Sequence, residues 1–396
     1  MSYSIGLSGL RATNEQLGVI SHNIANVNTA GFKTGRAEFS AVYGGGQPGG
    51  VEVSAVTQNF ERDGDVVNTG RSLDLAISGS GFFVLDDNGQ TAYTRAGTFN
   101  RDSDNYITTN SGARLQGYMV NDSGQLLNGV VSDLRVVSGN LPATASTSVE
   151  FAANLKADSD VKPALPAFDI NNPDTYNYSQ SGTVYDSLGT EHTLSQYFVK
   201  TGTNAWTVHY YMDGNDLGTP ANLTFNSDGT LNTPAAAINL TYAPTNGSDP
   251  LALSLDVQNM SQNAADFSLT RNESNGYGAG ELSGVRIEED GSMYAVFTNG
   301  QDQLQGRVIM ADFANPDGLR KGDDTAWYQS FGSGDPVVGT AGTGTLGTLT
   351  SGAYEGSNVE LTGELVNLMT AQRNYQANAK SISTADQMTQ VLFNAI

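Results

Sequence analysis

The first thirty residues carry an apolar pattern that repeats every seven positions, in a stretch without proline. The two rows of this pattern are held by Leu10, Leu17 and Ile24 and, three residues later, by Thr13, Ile20 and Val27. Alternating steps of three and four residues are typical of a coiled-coil seam. The pattern predicts a helix over about residues 4–28, and Asn26, Asn28 and Gly31 then suit a helix stop.

A second long helix is predicted at the other end of the chain. Ser357 and Glu360 have the spacing of a capping box, which predicts a helix over 358–394. A 4-3 alternation then runs to the end through Leu361, Leu365, Leu368, Gln372, Tyr375, Ala379, Ile382, Asp386, Thr389 and Phe393. All 11 prolines lie between Pro48 and Pro336, so both ends are free of helix breakers.

The middle of the chain alternates at period two between turn signals. Four hairpins are predicted, around the turns Asp87-Asn88-Gly89, Ser187-Leu188-Gly189, Asp228-Gly229 and Asp290-Gly291. The expected fold is therefore mainly β, with two antiparallel β domains and an α-helical coiled-coil region formed by the two ends. The Gly/Thr run over 339–352 is interpreted as a flexible connector to the last helix.

The predicted domains follow from these patterns. The outer β domain is expected to be an insertion into the inner one, because the hairpins continue on both sides of it. The predicted segments are a terminal helical domain (1–30 with 357–396), a connector (31–70), an inner β domain (71–147 with 284–356) and an inserted outer β domain (148–283).

Charge and cysteine usage exclude several classes of function. With 41 acidic and 19 basic residues the net charge is −22, which argues against nucleic acid or an anionic membrane as partner. The absence of cysteine excludes a disulfide scaffold, a thiolate zinc site and a cysteine nucleophile. We find no apolar run long enough to cross a membrane and expect no cleaved signal peptide.

Motifs for catalysis or cofactor binding are weak. The run 342–347 matches GxGxxG, but no strand–helix unit surrounds it, so a loop is the better interpretation. The acidic pairs Asp63/Asp65, Asp102/Asp104 and Asp213/Asp216 lack the spacing of a calcium loop, and His22, His192 and His209 lack zinc spacing. No aromatic cluster marks a lectin-like face in the middle. We therefore expect no enzyme, no cofactor and no metal.

Periodicity alone leaves two interpretations of the end helices open. They could form an ordinary intramolecular helix pair that supports a β domain. Alternatively, they could order when subunits pack head to tail in a polymer, because one narrow apolar seam is marginal for an isolated helix. The residues expected to form such a polymerisation seam are Leu10, Leu17, Ile20, Ile24, Val27, Leu361, Leu365, Leu368, Tyr375, Ala379 and Ile382.

Three segments resemble the bacterial flagellar rod and hook protein family. The opening motif comprises Ser8-Gly9-Leu10, Val19-Ile20 and the run 23–33, with Asn23, Ala25, Asn26, Thr29, Gly31, Phe32 and Lys33. The closing helix is similar over 355–359, 364–366 and 371–379, and the internal segments over 73–77, 81–83 and 93–97. The long central insertion best resembles the hook subunits of that family, with a distal-rod subunit as the alternative.

The resemblance implies a function. Terminal helices of many subunits would line a central channel, in a short curved tube that acts as a universal joint and transmits torque from rod to filament. The segments 31–70 and 339–352 would be the connectors that permit shear. Implied partners are further copies of the chain, the distal rod, the hook cap, the hook–filament junction proteins and the type III export gate. The implied location is extracellular, in the flagellar hook and basal body.

One short segment also resembles an export signal. Phe39 and Tyr43 have the spacing of the Phe-x-x-x-apolar signal that rod and hook subunits present to the export gate. A short strand or connector is the alternative interpretation of the same residues. A secreted binding protein or enzyme remains the competing class of function for the whole chain, and it leaves the matching end motifs unexplained.

Overall fold

The computed structural model describes residues 2–44, 47–121, 124–137, 139–218 and 220–394. The predicted class is confirmed, because the chain is mainly β and has one long helix at each end. The chain forms two compact units. The first unit comprises the residues up to 138, 284–296 and those from 302 onward, and the second comprises 139–283 and 297–301. The domain borders predicted from the sequence stay a prediction.

The described residues of the N-terminal part of the first unit form a helix followed by ten strands. In chain order these are α1 (Ser2–Ala25), β1 (Gly35–Gly44), β2 (Gln47–Gln58), β3 (Val66–Asn68), β4 (Leu75–Ser78), β5 (Phe82–Asp87), β6 (Gln90–Thr94), β7 (Asn100–Arg101), β8 (Ile107–Thr108), β9 (Arg114–Val120) and β10 (Leu126–Asp133).

Eleven strands follow, beginning in the second unit. They are β11 (Ser148–Lys156), β12 (Tyr178–Tyr185), β13 (Glu191–Gly202), β14 (Ala205–Met212), β15 (Asn215–Asp216), β16 (Ala221–Phe225), β17 (Leu231–Thr233), β18 (Ile238–Tyr242), β19 (Leu251–Asp256), β20 (Ser261–Asn263) and β21 (Ser268–Ser274). A short 3-10 helix, Pro173–Thr175, precedes β12.

The chain then completes the first unit with eight strands and the second long helix. They are β22 (Leu282–Ile287), β23 (Ser292–Phe297), β24 (Asp302–Asp312), β25 (Arg320–Lys321), β26 (Ala326–Tyr328), β27 (Val337–Thr340), β28 (Thr348–Ser351), β29 (Ala353–Glu355) and α2 (Leu361–Asn394). A 3-10 turn, Pro316–Gly318, lies between β24 and β25.

The first unit is built on a large sheet whose main strand order is β22-β23-β24-β9-β5-β6-β26-β25. Aromatic side chains dominate one of its core clusters, in which Phe82 packs edge-on with Phe313 and Trp327, and Tyr93 packs edge-on with Phe313. Edge-on pairs of this kind add stabilisation beyond the burial of their area. The large sheet with this core is the well-packed β scaffold of the first unit.

The predicted helices begin and end slightly differently in the structure. Helix α1 ends at Ala25, and Gly31 takes the left-handed backbone (φ 66°) beyond it. The predicted capping box is wrong. Its serine would have to precede the first residue of the helix directly, whereas α2 begins at Leu361, four residues after Ser357. The Ser357 hydroxyl accepts a hydrogen bond from the Val359 amide instead, at 3.3 Å, and belongs to an extended segment.

All four predicted hairpins are confirmed, but two connector predictions are not. The hairpins are β5–β6, β12–β13, β16–β17 and β22–β23. The run 339–352 is not a flexible connector, because β27 pairs with β24 and β28 pairs with β4. Segment 31–70 contains the paired strands β1 and β2, and Val51 N donates to Ser8 Oγ of α1 at 3.2 Å. The strands within 339–352 pair with segments that are distant in sequence, which local composition does not reveal.

The second unit consists of two sheets around one core. A five-stranded sheet has the order β18-β19-β11-β20, with β21 also paired to β11, and a six-stranded sheet has the order β12-β13-β14-β16-β17, with β15 paired to β14. The core includes Phe151, Phe198, Trp206 and Tyr210. Strand β11 runs parallel to β19 and β20, which hairpin signals could not predict, because no tight turn joins parallel neighbours.

An aromatic cluster does exist in the second unit, contrary to the sequence-based expectation. The Phe168 ring stacks on His209 with centroids 4.0 Å apart, and Tyr176, Tyr197 and Tyr211 surround them. The cluster was missed because its members come from a loop and two strands. Its side chains are half-buried and pack on one another, so the cluster is a satellite core under the loop before β12.

A histidine between two carboxylates forms a buried charged cluster in the second unit. His192 Nδ1 lies 2.6 Å from Asp213 Oδ2, its Nε2 lies 3.3 Å from Asp186 Oδ2, and the Tyr242 ring packs edge-on against it. Burial by itself lowers the pKa of His192. The hydrogen bonds to Asp213 and Asp186 outweigh burial, and the net effect raises the pKa above its ordinary value.

This cluster predicts a pH dependence for the second unit. Because the folded state binds the His192 proton more tightly than the unfolded state, the stabilisation is complete below the ordinary pKa of about 6.5 and is lost as pH rises through the raised pKa. Thermal unfolding of the full chain between about pH 5.5 and pH 8.5 measures it. His192→Gln should flatten this slope, and an unchanged slope in that variant would refute the assignment.

Candidate functional site

Asn23 fastens the end of α1 to the start of β1. Its side chain is buried, its Nδ2 donates to Gly35 O at 2.8 Å, and its Oδ1 accepts from Gly35 N at 2.9 Å. The Asn23 amide thus bonds both main-chain polar groups of Gly35, much as a paired β-strand residue would. An ionised aspartate at this position could only accept, so it could not replace the bond that the amide donates to Gly35 O.

The next motif residues close the helix end. Asn26 Nδ2 donates to His22 O at 2.9 Å, and Thr29 Oγ1 donates to Asn26 Oδ1 at 3.0 Å. The free carbonyls of the last turn need such partners. Ala25 is the last helical residue and is exposed.

At Gly31 and Phe32 the chain packs closely against the β scaffold of the first unit. Gly31 N donates to Glu355 O at 2.8 Å, and a Cβ on Gly31 would lie 2.3 Å from Ala96 N. With a φ of 66° as well, this position accepts only glycine. Phe32 is buried and packs edge-on with His22.

Lys33 ends the motif in a buried ion network. Its Nζ lies 2.8 Å from Glu355 Oε1, 3.0 Å from Arg62 O and 3.5 Å from Asp63 Oδ1. On the other side of the carboxylate, Arg95 lies 3.2 Å from Glu355 Oε2 and 3.6 Å from Asp63 Oδ1. Lys33, Arg95 and Glu355 are almost fully buried, so the two cations are balanced chiefly by one buried and one half-exposed carboxylate.

Asn358 completes the network just before α2. Its Oδ1 accepts from Thr34 N at 2.7 Å and from Thr34 Oγ1 at 2.6 Å, and its Nδ2 donates to Asn59 O at 2.9 Å and Arg62 O at 2.8 Å. We call the set Asn23, Gly31, Lys33, Arg95, Glu355 and Asn358 the helix-base junction. It joins the end of α1, the start of α2 and the β scaffold through buried, directional contacts.

The predicted seam residues of α1 are covered to different degrees. Ile20 is buried, Leu10, Leu17 and Ile24 are half-buried, and Val27 lies half-buried in the turn beyond the end of α1. Two glycines of α1 allow α2 to approach closely. A Cβ on Gly6 would lie 2.8 Å from Ile382 Cγ1, and one on Gly9 would lie 2.8 Å from Asn378 Nδ2. The residue number increases from Gly6 to Gly9 on α1 but decreases from Ile382 to Asn378 on α2, so the two helices are antiparallel.

The predicted seam of α2 only partly faces α1. Leu368, Ala379 and Ile382 are half-buried, whereas Leu361, Leu365 and Tyr375 are exposed. Ala371, which the seam omits, is fully buried. Sequence reasoning followed large apolar residues and missed the small ones. The i, i+3 spacing of Gly6 and Gly9 is the signal that could have indicated close helix contact.

The residues of the possible export signal lie on β1. Phe39 and Tyr43 are exposed by 44% and 70%, respectively. Both side chains border a groove beside α1. The structure of the folded chain leaves the export role a prediction.

Within the described residues, no group of three or more His, Asp and Glu side chains is placed to hold a metal ion. No described helix is long and apolar enough to span a membrane. The helix-base junction and the exposed helix faces are the features on which the functional argument rests. Their chemistry is structural, since it consists of buried ion pairs, amide bridges and apolar surface.

Four family models match successive parts of the chain. Their descriptions and matched residues are Flagella basal body rod protein (4–33), Flagellar hook protein FlgE/F/G D1 domain (76–155), Flagellar basal body protein FlaE D2 domain (154–277) and Flagellar basal body rod FlgEFG protein C-terminal (350–395). The first match contains the motif 23–33, and the last contains Glu355, Asn358 and α2.

Relatives match over the whole length. Flagellar hook protein FlgE of Escherichia coli (strain K12) is 41% identical over 403 residues, covering 100% of both chains. Flagellar hook protein FlgE of Salmonella typhimurium (strain LT2) is 38% identical with the same coverage, and that of Rhizobium meliloti is 32% identical, covering 98% of this chain and 97% of its own.

One solved structure supports the fold. The crystal structure of Helicobacter pylori flagellar hook protein FlgE2 superposes with a TM-score of 0.55 at 17% identity. The match covers 71% of this chain and 98% of that chain. At this identity the likeness concerns the fold alone.

Proposed function

Because the chain belongs to the flagellar hook protein family, we propose that it polymerises through α1 and α2 into the inner wall of the hook tube. The chain is a structural subunit of the bacterial flagellar hook and is located in the extracellular part of the flagellum. The distal-rod alternative is not favoured, since the hook proteins match over the full length, including the second unit.

The observation that carries the proposal is an uncovered apolar surface on the first turns of α2. Leu361, Leu365, Val366 and Met369 lie within nine residues and are exposed by 44–56%. A helix surface of this kind is costly in water and gains stability when another helix covers it. Within the described chain, α1 approaches a different side of α2, at Asn378 and Ile382.

We assign this apolar surface of α2 to binding a second copy of the chain. Helical polymers form when one face of a subunit binds a different face of the next and the rotation does not close. The predicted seam comprises Leu10, Leu17, Ile20, Ile24, Val27, Leu361, Leu365, Leu368, Tyr375, Ala379 and Ile382. We divide it into residues that hold α1 on α2 and residues that bind neighbouring subunits. The second group comprises at least Leu361 and Leu365.

The helix-base junction supports a role in transmitting torque. Torque on the helical wall must reach the β units of each subunit without slack. Buried ion pairs and amide bridges between α1, α2 and the scaffold supply such a stiff link. Bending of a universal joint would then come from sliding between neighbouring subunits, since 31–70 and 339–352 contain paired strands instead of loose connectors.

Further partners are part of this proposal. The tube would begin on the distal rod, grow under a hook cap and end at the hook–filament junction proteins. The chain would leave the cell through the type III export gate, with Phe39 and Tyr43 as its signal while unfolded. The relatives' names support the hook itself, and these contacts rest on the resemblance of the end motifs.

Removing the uncovered surface tests the proposal. We expect the double variant Leu365→Ser with Met369→Ser to fold like the parent, because both side chains are already half-exposed in the single chain. Loss of two buried apolar contacts per subunit should raise the critical concentration for tubes by at least about 100-fold. Sedimentation of hook-length polymers measures this.

Gln376→Ser is the matched control, because Gln376 is an exposed polar residue on the same helix. It should leave the critical concentration unchanged. A double variant that polymerises as readily as this control would refute the role of the α2 surface.

A further inference from the structure

Phe331 is the most exposed large apolar side chain of the described residues. It lies in the turn between β26 and β27, and its exposure reaches 106% of the reference for a free residue. The next most exposed aromatic, Tyr43, reaches 70%. Single exposed apolar residues are common on surfaces. A phenylalanine without any covering neighbour, on a turn held in place, is a different case.

The turn that carries Phe331 is fixed by its own hydrogen bonds. Ser330 N donates to Ser333 Oγ at 3.0 Å, and Ser333 Oγ donates back to Ser330 O at 2.9 Å. Asn315 Nδ2 donates to Gly332 O at 2.9 Å, and Ser333 is fully buried. A side chain presented by a fixed turn loses little entropy on binding, which is the property of an interface anchor.

A groove elsewhere in the first unit has the complementary character. It has a volume of about 370 Å³ and lies along α1, with Val19, Phe32, Val56 and Lys321 among its lining residues. We call it the α1 groove. Lys321, on its edge, forms no ion pair within the described part of the chain. An ammonium group in this position can attract the face of an aromatic ring.

Gly18 supplies an independent indication that something approaches this groove. It lies in the middle of α1 and lines the groove, and a Cβ placed on it would meet no atom of the described residues within 4 Å. Glycine inside a helix is less favourable than alanine. The chain itself gives no reason for a missing side chain here, in contrast to Gly6 and Gly9, which contact α2.

We propose that Phe331 of one subunit inserts into the α1 groove of a neighbouring subunit. This inference rests on the proposed polymer, because a tube requires two different, complementary faces on each copy. The projecting ring supplies one face and the groove beside Gly18 supplies the other. The contact joins β scaffold to helix wall between subunits, whereas the α2 surface joins helix to helix.

Photocrosslinking of assembled hooks tests this contact. Phe331 is replaced in the full chain by the photoreactive p-benzoylphenylalanine, which keeps an aromatic ring at the position. Hooks isolated from cells that make only this subunit are irradiated and digested. The expected adduct joins the peptide around 331 to peptides containing 15–23, 51–58 or 321 of a second copy. The same probe at Val130, which is exposed by 61%, should not label these peptides.

The outcomes separate the two claims. Hooks that form but crosslink 331 to another surface, to another protein or to nothing overturn the contact and leave the polymer intact. Cells in which the unsubstituted chain forms no hooks overturn the proposed function and the contact together. Phe331→Ala supplies a second measurement, with a rise of about tenfold or more in the critical concentration for tubes. Val130→Ala should cause none, and equal values for both variants would also overturn the contact.

Discussion

Glu355→Gln should strongly destabilise the first unit and abolish hook assembly. The substitution removes the negative charge that lies between the Lys33 ammonium and the Arg95 guanidinium, and both cations are almost fully buried. Removing one partner of a buried ion pair costs about 3–5 kcal/mol, because the remaining charge stays out of water. A typical domain has only about 5–15 kcal/mol of stability in total.

The loss should reach both end helices at once. Lys33 follows α1 in the chain and Glu355 precedes α2, so the broken ion pair lies at the base of both helices. Urea unfolding followed by circular dichroism measures the stability, and electron microscopy of cells measures hooks.

Asp63→Asn is the control within the same network. Asp63 lies near the same cations, at 3.5 and 3.6 Å, but its side chain is 44% exposed. Water can replace much of its contribution, so we expect a loss of about 0–1 kcal/mol and normal hooks. Equal losses in the two variants would show that burial does not give Glu355 its importance.

Gly9→Leu should weaken the packing of α1 on α2 and raise the critical concentration for tubes. Even the first carbon of a new side chain would lie within 2.9 Å of three atoms of the Asn378 amide. Overfilling a packed contact costs about 1–3 kcal/mol, which corresponds to a rise of about five- to 150-fold in the critical concentration. The β scaffold should remain folded, since the helix-base junction lies at the other end of α1.

Gly363→Ala is the matched control for a glycine in an end helix. The nearest atom to a new Cβ there is 3.9 Å away, so the methyl group fits. The change should stabilise α2 by about 1 kcal/mol and leave tubes intact. Sedimentation across a concentration series compares the two variants. Tubes from Gly9→Leu at the parent's critical concentration would contradict the observed helix pairing.

Local patterns were sufficient for the elements that depend on local chemistry. The heptad spacing in 1–30, the alternation at 361–393 and the Asn-Gly and Asp-Gly turns each predicted an element that exists. In each of these cases the residues that define the element are neighbours in sequence. The resemblance of 23–33 to a family motif indicated that these residues matter, but gave no reason for the individual side chains.

The reasons depend on partners that are distant in sequence. Lys33 and Glu355 are 322 positions apart, and Thr34 and Asn358 are 324 apart. No periodicity connects such pairs, so the helix-base junction could not be predicted from one sequence. The same holds for 339–352, where composition favoured a loop and strand pairing with β4 and β24 prevailed.

The contact between the two helices of one chain was not visible in the hydrophobic periodicity, and the role of the predicted seam between subunits stays a prediction. Hydrophobic periodicity selects large side chains, and it therefore placed Leu361 and Leu365 in the seam and omitted Ala371. Close helix contact in this chain uses small residues, since Gly6 and Gly9 allow α2 to approach. The large residues left outside the pair are the ones that we assign to neighbouring subunits.

Assembly of the purified chain tests the central claim most directly. The full chain is compared, by sedimentation and electron microscopy, with a variant that lacks residues 1–22 and 361–396, with and without added hook cap protein. This truncation leaves Asn23, Glu355 and Asn358 in place, and circular dichroism reports whether the β units stay folded. We predict curved tubes from the full chain and a folded monomer from the truncated one. Tubes from the truncated chain, or none from the full chain even with the cap, would contradict polymerisation through the end helices.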